Sequence, residues 1–204
     1  MGSNADSPLD TFTSAVRVAK LERALAFRQP TLAVVIENIH DPHNFNAILR
    51  SCDAVGVSRI AMVYTIEQPP KLVHTSSSGA YKWMDLEHYP SFDACASTLK
   101  AEGFQLLGTK LDANAKPLYE HALTTPTALV LGNEHRGISA DAVRCCDELL
   151  YIPMRGMAES LNVSVAAAVC LFEAMRQREA IDMYDTPQLS QEARRSKLTD
   201  WLIR

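Results

Sequence analysis

A chain of 204 residues with 47% apolar and 22% charged residues has the makeup of one globular domain with a substantial core. No stretch approaches the roughly 18 uninterrupted apolar residues of a membrane span. The opening MGSNADSPLD lacks the basic-then-apolar order of a secretory signal, so a cytoplasmic protein is expected. The net charge of −4 argues against nucleic acid as a partner, and the five cysteines form no C-x-x-C pair, which disfavours a zinc knuckle or a disulfide framework.

In chain order, residues 14–28 place Val18, Leu21, Leu25 and Ala26 at helical spacing among Arg17, Lys20, Arg23 and Arg28. That pattern predicts a basic amphipathic helix, closed by Pro30. LAVVIENI (32–39) is a continuous apolar, β-branched run, the mark of a strand buried on both faces. The polar turn HDPH follows, then a helix from about Asn44 to Val55 with a stop at Gly56. SRIAMVY (58–64) reads as the next strand. Residues 65–90, with Pro69, Pro70 and Gly79, read as a long loop with short helical pieces.

The alternation then resumes. SFDACASTLKAEG reads as a helix, FQLLGTK (104–110) as a strand, and TALVLGNE (127–134) as a strand running into a polar turn. Ser139 is placed to cap a short helix, ADAVRCC, in which Cys145 and Cys146 are either a metal or redox pair or, more plainly, small residues at a helix end. ELLYIPM (148–154) is another strand, and a long helix runs from about Ser160 to Glu179. The tail beyond Tyr184 is polar apart from Leu198–Ile203. Strands alternating with helices predict an α/β fold with a mostly parallel sheet. The chain divides into a basic arm (1–30), a main domain (31–182) and a polar tail with a short helix (183–204). A second basic group, Arg176, Arg178, Arg194, Arg195 and Lys197, lies near the C-terminus, and folding could join it to the N-terminal group as one RNA-facing surface.

In such sheets ligands sit beyond the carboxyl ends of the strands. That rule singles out three turns, HDPHNFN, GNEHRGIS and PMRGMAESLN, each directly after a strand. No dinucleotide fingerprint, P-loop or G-x-S-x-G elbow is present. His40 and His43 are too few for a metal site without further ligands.

The segments NIHDPHNFNAILRSCDAVGV (38–57), LVLGNEHRGIS (129–139) and IPMRGMAESLNVSVAAAVCLFEAMRQR (152–178) resemble, in order and spacing, the three motifs of the SpoU or SPOUT RNA 2′-O-methyltransferases. The resemblance spans about residues 14–180. The first motif's wording, SSSGAYKW (76–83) and MAESLN look most like members acting on guanosine-18 of tRNA. The resemblance implies S-adenosylmethionine as methyl donor, no metal, tRNA as substrate, a homodimer, and a C-terminal deep trefoil knot, which general topology rules disfavour. Matched position by position, it gives Asn44, Arg50, Glu134, Ser160 and Asn162 as catalytic candidates. Thr109, Leu131, Gly132, Ile152, Met154, Ser160 and Leu161 are candidates for the cofactor pocket. Arg17, Arg23, Arg28, His43, Arg176 and Arg178 are expected to meet RNA.

The chemistry suits these residue types. A ribose 2′-hydroxyl is weakly acidic, so methyl transfer needs it aligned behind the methyl group, about 3 Å away, and partly deprotonated. Arg50 is either the base, assisted by an RNA phosphate, or a charged clamp on that phosphate; the plainer alternative is a surface arginine paired with Asp53. Asn44 suits a helix N-cap, Glu134 an exposed loop, and Ser160 with Asn162 ordinary capping of the long helix. Rival functions are methylation of another tRNA position or of ribosomal RNA, and a non-catalytic RNA-binding paralogue.

Overall fold

The computed structural model describes residues 15–70 and 79–204. Leu32–Glu37 (β1) is buried at every position, as its apolar run LAVVI between two helical layers requires, and only the closing Glu37 is polar. Full burial of Leu32, Val34, Val35 and Ile36 contributes roughly 1.5–3 kcal/mol each. β1 pairs in parallel with Arg59–Val63 (β2) on one side and Thr127–Leu131 (β6) on the other. Outside β2 lies Asp85–Tyr89 (β3). Outward from β6 follow Gln105–Thr109 (β4), Glu148–Tyr151 (β7) and the two-residue Lys116–Pro117 (β5). The order is β3-β2-β1-β6-β4-β7-β5, and each of these pairings is parallel.

Successive strand residues point to opposite faces, so two cores form. On one face Pro42–Ala54 (α2) and Val163–Glu179 (α5) bury Phe45, Ile48, Leu49, Cys170 and Leu171 against Val34 and Ile36. On the other, Phe92–Ala101 (α3) and Ala140–Cys145 (α4) bury Cys95, Leu99 and Ala142 against Val35 and Val130. Ser139 caps α4 as expected, and both its N–H and its hydroxyl donate to Glu37 at the end of β1. Cys145 ends α4 and Cys146 caps it. Among the described residues, no helix is long and apolar enough to cross a membrane.

Ala15–Ala26 (α1) and Gln191–Leu202 (α6) pack together over Leu21, Leu25 and Trp201. This packs the helix that carries Arg194, Arg195 and Lys197 against the basic α1, while Arg176 and Arg178 belong to α5. The tail is therefore a twelve-residue helix rather than a short one. Two edge strands, β3 and β5, lie where the sequence reading placed loop or no element. Residues 76–78 of SSSGAYKW lie outside the described residues; Ala80–Trp83 form one 3₁₀ turn.

Two arginines expected to meet RNA are interior. Arg178 is fully buried, and its guanidinium donates to the carbonyls of Leu123, Thr31 and Thr125, to Gln29 Oε1 and to Thr31 Oγ1. Arg28 is also buried. It pairs with Asp53 at 2.7 Å, donates to the Val57 carbonyl and stacks over Trp201 at 5.0 Å. Both are spent on loop carbonyls and packing, so neither presents charge to a ligand.

Candidate active site

The site begins where β1 ends. Asn38 is buried in the left-handed region at φ 51°, a conformation asparagine tolerates better than most residues. Its Oδ1 accepts from the N–H groups of Thr65, Ile66 and Glu67 at 3.0, 3.0 and 3.2 Å, which fixes the loop after β2. Its carbonyl accepts from Asn133 Nδ2 at 2.8 Å, which fixes the turn after β6. That turn is closed by paired hydrogen bonds between Asn133 and Gly137. Gly132 is required there, because an added Cβ would sit 2.2 Å from the carbonyl carbon of Gly137.

The turn carries Glu134 inward. Glu134 Oε2 accepts from the His40 N–H at 3.2 Å, and Oε1 accepts from the Asp41 N–H and Asn44 Nδ2, both at 3.1 Å. Burial raises its carboxyl, but hydrogen bonds from Asn44, its own backbone, His40 and Asp41 outweigh that and hold it below the usual carboxylate range. Asn44 Oδ1 in turn accepts from Asn162 Nδ2 at 3.0 Å, and Asn162 Oδ1 caps α5 through Ser164 N–H at 2.8 Å. One chain of hydrogen bonds thus joins the turns after β1, β6 and β7. Asp41, not Asn44, caps α2, with Pro42 opening the helix, so Asn44 is free to face Glu134 and Asn162.

Two adjoining cavities open around this chain. The smaller, about 390 Å³, is lined by His40, Asp41, Asn44 and Asn162. The larger, about 790 Å³, is lined by Thr109, Gly132, Leu150, Ile152, Met154 and neighbours. Glu134, His135, Ser160, Leu161 and Val163 line both and form the wall between them. Leu131 does not contribute: its side chain is buried in the core beside α2 and α5. Thr109 lines the larger cavity, with its hydroxyl donated to the Val130 carbonyl at 2.8 Å.

Arg50 lies outside both cavity linings. It is exposed on α2, seven residues and so two turns beyond His43 on the same solvent face. Its suggested partner Asp53 is taken by Arg28. Arg17 and Arg23 are exposed on α1, and Arg176 is exposed on α5 while paired with Glu173 at 2.8 Å.

These features coincide with a known group of proteins. The profile of the SpoU rRNA Methylase family matches residues 31–172, which hold both cavities. The chain belongs to the SpoU family. It is 44% identical over 186 residues to the tRNA (guanosine(18)-2′-O)-methyltransferase of Thermus thermophilus, covering 91% of this chain and 95% of that one. Its fold matches the A. aeolicus TrmH/SpoU tRNA modifying enzyme at a TM-score of 0.87 and 38% identity, over 92% of this chain and 95% of the other. The SpoU methyltransferase AviRb of Streptomyces viridochromogenes, solved in complex with AdoMet, matches at a TM-score of 0.67 and 30% identity, over 77% of this chain and 61% of that one.

Within the SpoU chain, residues that the motif comparison passed over also face the cavities. His40, Asp41 and His135 line the smaller, and Lys110, Leu111, Arg136 and Tyr151 the larger. His40 and Asp41 sit in the first of the three polar turns, so the strand-end rule covered them, while the motif positions drew attention to their neighbours. Glu67, which no sequence signal marked, bridges the rim: Arg136 donates to its Oε1 at 2.7 Å, and His40 Nδ1 lies 3.4 Å from its Oε2. The Arg136 guanidinium, first among several partners, holds the Glu67 carboxyl below its ordinary range.

Proposed function

We propose that this chain transfers a methyl group from S-adenosylmethionine to the ribose 2′-hydroxyl of guanosine-18 in tRNA, acting in the cytoplasm as a homodimer. The observation that carries this reading is the pair of cavities with a common wall, one sized and lined for the donor and the other polar. The larger cavity fits the donor: its volume falls within the roughly 300–1,000 Å³ usual for such ligands, and Leu111, Leu150, Ile152 and Met154 give it an apolar wall beside polar Ser160. When bound, S-adenosylmethionine supplies a methyl group on a sulfonium, already reactive toward an aligned oxygen.

The chain's own residues then do the positioning. Asn44 and Asn162, locked to each other and to Glu134, hold the sugar edge in the smaller cavity. Ser160 stands at the wall between the two ligands. Arg50, exposed on α2, stays charged and clamps an RNA phosphate through its planar fork. Such alignment can contribute on the order of 7–11 kcal/mol of barrier reduction.

Exposed Arg17, Arg23 and His43, with Arg176, are the residues we assign to tRNA contact. The joined α1–α6 end supports this despite the net charge of −4. On α5, Val165 and Phe172 are about half exposed and two turns apart, an apolar stripe suited to a second copy. We also extend the family's knotted C-terminal segment to this chain, supported by β7, late in the sequence, lying between the earlier β4 and β5. The test is incorporation of labelled methyl into an unmodified tRNA transcript, mapped to the nucleotide. Incorporation at guanosine-18 is expected; activity on ribosomal RNA with none on tRNA would overturn the substrate.

A further inference from the structure

The methyl donor has two unlike arms on its sulfur, an adenosyl group and an α-amino acid, and the second ends in a carboxylate. We infer that Arg136 binds the α-carboxylate of S-adenosylmethionine, and that Glu67 competes with the donor for the same guanidinium; the inference rests on the methyltransferase reading above.

Position along the larger cavity selects Arg136. Glu134 and Glu159 line that cavity and repel a carboxylate, whereas Lys110 and Arg136 supply positive charge. The travelling methyl belongs at the wall shared with the smaller cavity, formed by Glu134, His135, Ser160, Leu161 and Val163. The adenine suits the apolar part, where Thr109 and Leu150 pair across β4 and β7 and Leu111 and Ile152 follow them. Lys110 sits in that part, between Thr109 and Leu111. The amino-acid arm is left with the wall side. Arg136 stands there, the residue after His135, on the turn closed by Asn133 and Gly137.

The main chain of Arg136 is fixed, and its side chain is not. Its N–H donates to Asn133 Oδ1 at 3.2 Å, while the side chain is 50% exposed. The guanidinium donates through Nη2 to Glu67 Oε1 at 2.7 Å. Arg136 lines the larger cavity, but Glu67 lines neither, so the pair draws the guanidinium toward the rim. The Glu67 N–H donates to Asn38 Oδ1, which anchors the competing carboxylate to the loop after β2. An exposed ion pair is weak enough to be exchanged for a ligand carboxylate, which the planar fork of arginine can take with two parallel hydrogen bonds.

The test is calorimetric titration of the RNA-free protein with S-adenosylhomocysteine, which keeps the carboxylate, and with its decarboxylated analogue, which lacks it. Wild type should prefer S-adenosylhomocysteine by about tenfold, as one charge-assisted contact gives. Arg136→Gln should weaken S-adenosylhomocysteine by about that factor and leave the analogue unchanged, so the preference disappears. Arg136→Lys should restore part of it, and Lys110→Gln should keep it. Glu67→Gln should tighten S-adenosylhomocysteine about two- to fivefold by removing the competitor. In turnover on a tRNA transcript, Arg136→Gln should raise the KM for S-adenosylmethionine by a larger factor than it lowers kcat.

A preference that survives Arg136→Gln, or equal weakening of both ligands in that variant, overturns the role of Arg136. So does a preference lost in Lys110→Gln and kept in Arg136→Gln. Unchanged or weaker binding of S-adenosylhomocysteine in Glu67→Gln overturns the competition. A wild-type protein that binds neither S-adenosylmethionine nor S-adenosylhomocysteine, with or without tRNA, instead removes the methyltransferase reading itself.

Discussion

The two ends of β1 and β6 are closed by opposite charges. At the amino edge, Arg178 reaches from the end of α5 and donates to five acceptors around Thr31, Leu123 and Thr125, the residues that lead into those strands. At the carboxyl edge, Glu134 accepts from two backbone N–H groups and Asn44. The cation is fully buried, whereas the anion lines both cavities. The same loop-closing problem is therefore solved once for packing and once for function. What separates the two is whether the ionic group has solvent-accessible space beside it.

The sharpest way to break this contrast is Arg178→Met. It keeps the bulk and removes every donor, leaving several buried acceptors at about 1–3 kcal/mol each, so unfolding in urea should show a loss of about 3 kcal/mol or more. The protein that remains folded should methylate at the normal rate. Glu134→Gln should do the reverse. Its amide places an N–H₂ against donors, so turnover should fall about 10²-fold through misplacement of Asn44, with a stability loss of about 1–3 kcal/mol. If Arg178→Met harmed turnover more than stability, the division between the edges would fail.

Acid sharpens the comparison. The Glu134 carboxyl titrates lower in the folded chain than in the unfolded one, so its contribution to stability is present above the ordinary glutamate value and is lost as pH falls through the folded value. The stability advantage of wild type over Glu134→Gln should thus be full at neutral pH and vanish well below pH 4.5, by denaturant titrations at both conditions. The smallest stability effect belongs to Arg176→Ala. Its exposed pair with Glu173 is screened by solvent, so unfolding in urea should be nearly unchanged, while tRNA affinity should weaken and its salt slope flatten by about one.

How much of this was legible in the sequence follows from how each element is buried. β1 and β6 announce themselves because both faces are covered and their central runs, LAVVI and ALVL, are wholly apolar. β3, DLEHY, lies at the sheet edge with no fully buried residue, so it carries no apolar signature and reads as loop. β5 is two residues long, too short for any pattern. In α6 only Trp201 is buried, so a helix reads as a polar tail. Asn44, Glu134 and Asn162 were identifiable from the motifs and meet in one hydrogen-bonded chain. Arg28 and Arg178 were misjudged for a physical reason: arginine composition signals a charged surface, and only the folded positions of distant loop carbonyls turn it into a buried donor. Glu67 was invisible because its importance lies in an ion pair with Arg136, 69 residues away.

The shared wall between the two cavities has a pharmacological corollary. A single molecule carrying an adenosyl amino acid at one end and a guanosine at the other, joined through the position of the travelling carbon, would occupy both chambers at once. Binding of the first half would raise the effective concentration of the second, so the linked compound should bind far more tightly than either half alone, provided the tether spans Ser160 and Leu161 without strain.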